Sequence, residues 1–122
     1  MLGHYSGDHN RFVELLVHIL IHLVRADGKV DPRELVTIEQ FFQTAMRYGP
    51  TQMVWIKDII RDALEKPVPL PDLCSEFGER FNYESKLIVL QLLYQVAFSD
   101  QQFSASEKTL IDEVVARLGI SS

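Results

Sequence analysis

The amino-acid sequence predicts an all-α protein, a multi-helix bundle with an internal helix-turn-helix duplication, and three observations carry that expectation. Apolar residues recur at intervals of three and four, and no stretch alternates with the strand period of two. Residues that start and stop helices punctuate the pattern at regular places. The chain also matches itself at an offset of 73 residues.

Taken in order, the first helix is expected over 8–26, where Phe12, Leu15, Leu16, Ile19, Leu20 and Leu23 form the apolar stripe. Arg11, Glu14, His18, His22 and Arg25 collect on the opposite side, which reads as a solvated surface. Asp27-Gly28-Lys29 breaks this helix. Asp31-Pro32-Arg33-Glu34 starts the next, with Asp as N-cap, Pro at the first helical position and Glu three residues after the cap. Gly49-Pro50 is expected to end it near Tyr48, because Gly suits the left-handed position past a helix and Pro cannot continue one. A third helix over 51–66 buries Ile56, Ile59, Ile60, Ala63 and Leu64, with Trp55 at the border of the stripe. The proline-rich run 66–71 reads as an extended connector. Leu73, Phe77 and Phe81 mark a short helix, Asn82 caps a long one over 83–98, and a last helix over 105–118 stops at Gly119.

Bulk properties bound the function. A chain of 122 residues, 47% hydrophobic and 24% charged, suits one ordinary globular core, so a single domain over 1–122 is expected. Its formal charge of −5 leaves no broad cationic face for phosphate backbones, so nucleic acid is not an expected partner. The apolar stretches 13–24 and 87–98 fall short of the ~20 residues a membrane span requires, so no membrane insertion by this segment is expected. A lone cysteine, Cys74, permits no intrachain disulfide and agrees with a reducing, cytoplasmic location; it reads as a packing residue.

The self-match pairs Leu20 with Leu93, Leu23 with Val96, Asp27 with Asp100, Val30 with Phe103, Glu34 with Glu107 and Ile38 with Ile111. Repeat 1 spans about 10–48 and repeat 2 about 83–119. Each reads as apolar helix, Asp, turn, cap, and Glu at the third helical position. Because one helix pair cannot hide both its apolar faces, two pairs should close on a shared core, with Val30 and Phe103 tucked beneath the turns.

The segments 26–34 and 97–107, followed by Arg117-Leu118-Gly119-Ile120-Ser121, resemble the paired signatures of TerB-like domains over nearly the whole chain. They are most similar to the central domain of DjlA-type proteins, membrane-anchored DnaJ-like co-chaperones. The resemblance implies a compact helical bundle. It also implies a regulatory or protein-interaction role, with a protein partner or a second copy of the chain as the ligand. If the chain belongs to a longer anchored protein, the site is the cytoplasmic face of the inner membrane. The His-Pro-Asp tripeptide by which a J domain engages Hsp70 is absent, so Hsp70-system proteins are expected as partners only through a J domain that this sequence does not contain. One departure from the family pattern is Gln101 where Gly28 stands in the first repeat; a Gln held in a left-handed turn costs roughly 1 kcal/mol.

Two sets of residues are candidates for a site. Asp27, Asp31, Glu34, Asp100 and Glu107 are the oxygen ligands that Ca²⁺, Mg²⁺ or Mn²⁺ prefers, and the resemblance links TerB-like domains to metal sensing and tellurite resistance. The structural reading comes first: Glu34 and Glu107 stand where a capping box uses them, and Asp27 and Asp100 where an Asp stabilises a turn after a helix. An EF-hand is excluded because Ile38 stands where its twelfth-position Glu is needed. His18 and His22 share the spacing of zinc enzymes, but Ile19 replaces the catalytic Glu, and a solvated or partner-facing surface is the alternative. Trp55 is the other candidate for a partner surface. The aromatics Phe41, Phe42, Phe77, Phe81, Tyr83, Tyr94, Phe98 and Phe103 are assigned mainly to the core. No nucleophile with its base, no Gly-rich phosphate loop and no paired-Cys motif appears, so enzymatic activity is not expected.

Overall fold

The computed structural model describes residues 7–99 and 103–120. Among the described residues six helices follow in order: α1 (Gly7–Val24), α2 (Pro32–Thr44), α3 (Pro50–Glu65), α4 (Leu70–Arg80), α5 (Tyr83–Ala97) and α6 (Ala105–Leu118). No strand occurs among the described residues, and the expected all-α bundle is what forms.

Capping chemistry sets most of the boundaries. Asp31 caps α2 by accepting from the Arg33 N–H at 2.8 Å, with Pro32 beginning the helix. Asn82 caps α5 through the Ser85 N–H at 3.0 Å. Ser104 and Glu107 form a reciprocal capping box on α6: the Ser104 Oγ accepts from the Glu107 N–H at 3.1 Å, and the Glu107 Oε1 accepts from the Ser104 N–H at 3.0 Å. Gly119 closes α6 in the left-handed conformation at φ 70°.

The second helix departs from expectation. It ends at Thr44 rather than near Tyr48, and Arg47, not Gly49, takes the left-handed backbone, at φ 57°. Gly49 instead has extended backbone and caps α3, its N–H donating to the Gln52 Oε1 at 3.0 Å, while Pro50 opens that helix. Gly-Pro thus acts as a start signal, the role that Pro at the first helical position favours.

Helix α1 is the axis of the bundle. Val13, Leu15, Leu16, Val17, Ile19, Leu20, Ile21, Leu23 and Val24 are all buried, an arc of about 240° that covers some two-thirds of its circumference. Around it the other helices touch in the order α3, α2, α5, α6, α4. Between α4 and α3 the ring is bridged by residues 66–69 and by the polar stripe of α1. At the far end of that stripe Arg11 makes a two-pronged bond to Glu76 of α4, both contacts at 2.6 Å, and Phe12 packs edge-on to Phe81.

Helix α2 lies against α5, and α6 lies against α1. The two pre-helix turns differ in what they cover. Phe103 is half-buried against Phe98, centroid to centroid 4.9 Å, whereas Val30 is 43% exposed, contrary to the expectation that both would be tucked in. The first turn closes on itself through Gly28 at φ 84° and an Asp27 Oδ1 contact with the Lys29 N–H, which leaves Val30 in the segment just outside the Asp31 cap. Gln101, whose backbone strain was anticipated, lies outside the described residues.

Candidate functional site

The carboxylates picked out by the repeat are placed at helix entries. Asp27 is exposed and supports its turn; Asp31 caps α2 and pairs with the Arg33 guanidinium at 3.0 Å. Glu34 and Glu107 stand at the third positions of α2 and α6 and are only 3% and 2% exposed. For Glu107 the capping box accounts for that burial. Asp100 lies outside the described residues. Among the described residues no group of three or more His, Cys, Asp or Glu side chains is placed to hold a metal ion.

The histidines occupy the seam between α3 and α4 rather than an open helix face. His22 is half-buried, and its Nε2 donates to the Val68 carbonyl at 2.6 Å, which ties the proline connector to α1. Arg25 adds a bond from its guanidinium to the Leu64 carbonyl at 3.1 Å. His18 is enclosed with Ile21, Ala63 and Pro67, and burial holds its pKa below the ordinary histidine value, with the Arg11 guanidinium acting in the same direction. His18 therefore faces the interior of the seam, while His22 bonds at its exposed edge. Trp55 is half-buried and leans on Tyr48, centroids 6.5 Å apart; Tyr48 in turn stacks on Phe42 and bonds through its hydroxyl to His9.

A surface that sequence reasoning assigned to the core is the most distinctive feature of the molecule. On α5, Val89, Leu92, Leu93, Val96 and Ala97 are buried against the bundle. The other side keeps Tyr83 45%, Leu87 40%, Ile88 42%, Tyr94 41% and, at its end, Phe98 54% exposed. At 3.6 residues per turn these five, with Gln91 and Gln95, fall within about 140° of the helix circumference. Phe103 joins the patch, 4.9 Å from Phe98 and 6.2 Å from Tyr94. Beside it, Phe41, Ile88, Gln91, Leu92 and Gln95 line a shallow cleft of about 160 Å³ between α2 and α5.

The assignment of Tyr83, Tyr94 and Phe98 to the core is thus corrected. The available signal was the composition of α5 itself, whose apolar residues spread well beyond a single stripe and are interrupted on the outer side by Glu84, Gln91 and Gln95, and a helix so apolar is either central or covered by something else. Helix α1 has the same character and is central. Helix α5 sits on the rim with α2 and α6 as flanks, so one apolar side is left over. Those side chains offer roughly 450 Å² of apolar surface, given the ~150–250 Å² of a large side chain. Patches of about 300–600 Å² are the largest a typical monomer shows, and they are often functional.

No helix among the described residues is long and apolar enough to cross a membrane. The family model described as "Tellurite resistance protein TerB" matches residues 14–122. No curated protein and no solved structure gives a significant match.

Proposed function

The chain belongs to the TerB family, and from that premise we propose that it is a non-enzymatic protein-interaction module that docks a protein on the outer face of α5. The observation that carries this reading is the apolar stripe Tyr83, Leu87, Ile88, Tyr94 and Phe98, 40 to 54% exposed on a helix whose opposite side is already fully used by the core. Leaving such a surface in water forfeits about 25 cal/mol per Å² of the stabilisation that covering it brings. The non-enzymatic reading is supported by Cys74, which is buried and whose thiol burial pushes up to about 11, so it is not an activated nucleophile. A regulatory or scaffolding role like that of the TerB-like domain in DnaJ-like co-chaperones, in a reducing cytoplasmic setting, is the context we assign to it. The test is photo-crosslinking in cells from a benzophenone side chain at position 95, on the stripe, against the same group at position 61, on exposed α3. Crosslinks from 95 alone support docking on α5. Their absence from 95 refutes it.

A divalent-cation sensor is the second reading, supported by the burial of Glu34 and Glu107 at matching helix positions. It requires Asp27, Asp31, Glu34, Asp100 and Glu107 to act as ligands for Ca²⁺, Mg²⁺ or Mn²⁺ as well as supports of the turns. Ion-dependent melting, developed below, decides between ligand and cap.

A further inference from the structure

We infer that residues 66–69 form a pH-sensitive latch on α1: charging His18 lifts Pro67 off the seam and frees the connector while the rest of the bundle stays folded. This goes beyond the docking reading and is independent of it, since the connector lies on the other side of α1 from α5. The connector is held by side chains rather than by its own backbone. Residues 66–69 are exposed, Pro67 and Pro69 have no N–H to donate, and Pro69 gives α4 no side-chain cap. The fastenings are the His22 Nε2 bond to the Val68 carbonyl at 2.6 Å and the Arg25 bond to the Leu64 carbonyl at 3.1 Å. His18 lies one turn before His22 on the same helix face. The walls around its ring are unequal. Ile21 and Ala63 are 1% and 2% exposed and belong to the core, whereas Pro67 is exposed, lies in no helix, and can move without disturbing core packing.

A charged His18 is poorly served in the closed seam. The space beside the ring is about 10 Å³, which admits one water at most. Among the described residues the ring has no hydrogen-bond partner. From α1 the groups around it are Arg11, Glu14, His22 and Arg25, and from α3 Asp62. The connector adds only Lys66, which is exposed, and α4 adds Glu76, which Arg11 already holds. Glu14 and Asp62 favour the charged ring, but Glu14 is bonded to Arg11 at 3.2 Å and Asp62 is exposed. Burial outweighs both and keeps the folded pKa below the ordinary 6.5. Lifting Pro67 hydrates the ring and restores its ordinary value, so acid favours the open form. The closed latch is therefore fully favoured above about pH 6.5 and weakens as pH falls toward the closed-state pKa. At about pH 5.5 the open form gains at most about tenfold, because the hydrated ring is then one pH unit below its ordinary pKa.

The experiment is native-state hydrogen exchange on the full chain at about pH 7.5 and 5.5, each rate divided by that of unstructured backbone at the same pH. The reporters are the amides of Lys66, bonded to the Asp62 carbonyl at 2.7 Å, and of Asp72 and Leu73, both bonded to the Pro69 carbonyl. Low urea separates a local opening from global unfolding, because only the second exposes much surface. The expected reporters are less protected than the α5 amides and, up to about 1 M urea, insensitive to denaturant, whereas the α5 amides respond to it. Their opening should rise severalfold from pH 7.5 to 5.5, within the tenfold limit above. His18→Gln should abolish that rise. His9→Gln should keep it, since His9 bonds to Tyr48 at the other end of α1. His22→Ala, which gives up the Val68 bond, should open the reporters severalfold already at pH 7.5. Reporters that follow the urea dependence of α5, or that show no rise with acid in the parent chain, overturn the latch, and both results are read without any variant. A rise that survives His18→Gln, or no gain from His22→Ala, overturns it as well.

Discussion

Replacing Glu107 separates a helix cap from a metal ligand. Its Oε1 accepts from the Ser104 N–H at 3.0 Å, and the Ser104 Oγ accepts from the Glu107 N–H at 3.1 Å, in a position 2% exposed. Ser104→Ala removes the cap hydroxyl and should cost about 1 kcal/mol. Glu107→Ala removes the side-chain acceptor and leaves the Ser104 N–H unpaired at a buried position, which should cost about 2 kcal/mol. For 122 residues the unfolding entropy is about 0.25 kcal/mol/K, so the expected losses in Tm are about 4 and about 8 °C. The double variant should lose less than the sum, because each half of the box holds the other in place. Thermal melts followed by circular dichroism, with a chelator and then with millimolar Ca²⁺, Mg²⁺ or Mn²⁺, give the comparison. As a cap, Glu107 produces the same loss with or without ions. A parent protein whose Tm rises with one of these ions, a rise that Glu107→Ala abolishes, refutes the cap account and establishes the cation sensor.

Other outcomes follow from the seam and the core. The Arg11 guanidinium holds the Glu76 carboxyl below the ordinary value, so the pair stabilises the fold above the unfolded-state pKa and is lost as pH falls through the folded one. Glu76→Gln should therefore be less stable than the parent at pH 7 in urea titrations, with the gap closing on the acid side of about pH 4. His18 is held below its ordinary value by burial, so its neutral form stabilises the fold above about pH 6.5 and stability falls as pH drops toward the folded pKa. Urea midpoints of His18→Gln should fall less steeply between pH 7.5 and 5; His9, also lowered by burial, accounts for a residual slope that His9→Gln removes. Cys74, buried and with its thiol raised to about 11, should react with a thiol reagent only after the chain is denatured, and prompt labelling of the native protein would contradict its placement.

Much of the fold was legible because helix signals are local. The caps Asp31, Asn82 and Ser104 and the left-handed Gly119 stand where their chemistry requires. Gly49-Pro50 misled because the same dipeptide suits the end of one helix and the start of another; Arg47 absorbing the left-handed conformation selects the second use. The polar stripe of α1 was read as a solvated face, yet His22 and Arg25 bond to carbonyls of residues more than 35 positions away. No periodicity within one helix encodes that contact. Helix α5 shows the same limit from the other direction. Tyr94 and Phe98 look like core residues in sequence, since their neighbours are apolar, and only the order of helices around α1 puts them on the rim.

The central claim is that the outer stripe of α5 serves binding and not folding, and one measurement tests it directly. Leu87→Ser and Phe98→Ser are combined in the full chain, and its thermal stability is compared with that of the parent. Side chains 40% and 54% exposed keep only about half of their area against the bundle, so the double variant should lose about 2 kcal/mol, or about 8 °C in Tm, while crosslinking from position 95 is lost. A fall of more than about 20 °C, as expected for two large core side chains cut down to small ones, would show that the stripe holds the monomer together and would contradict the account.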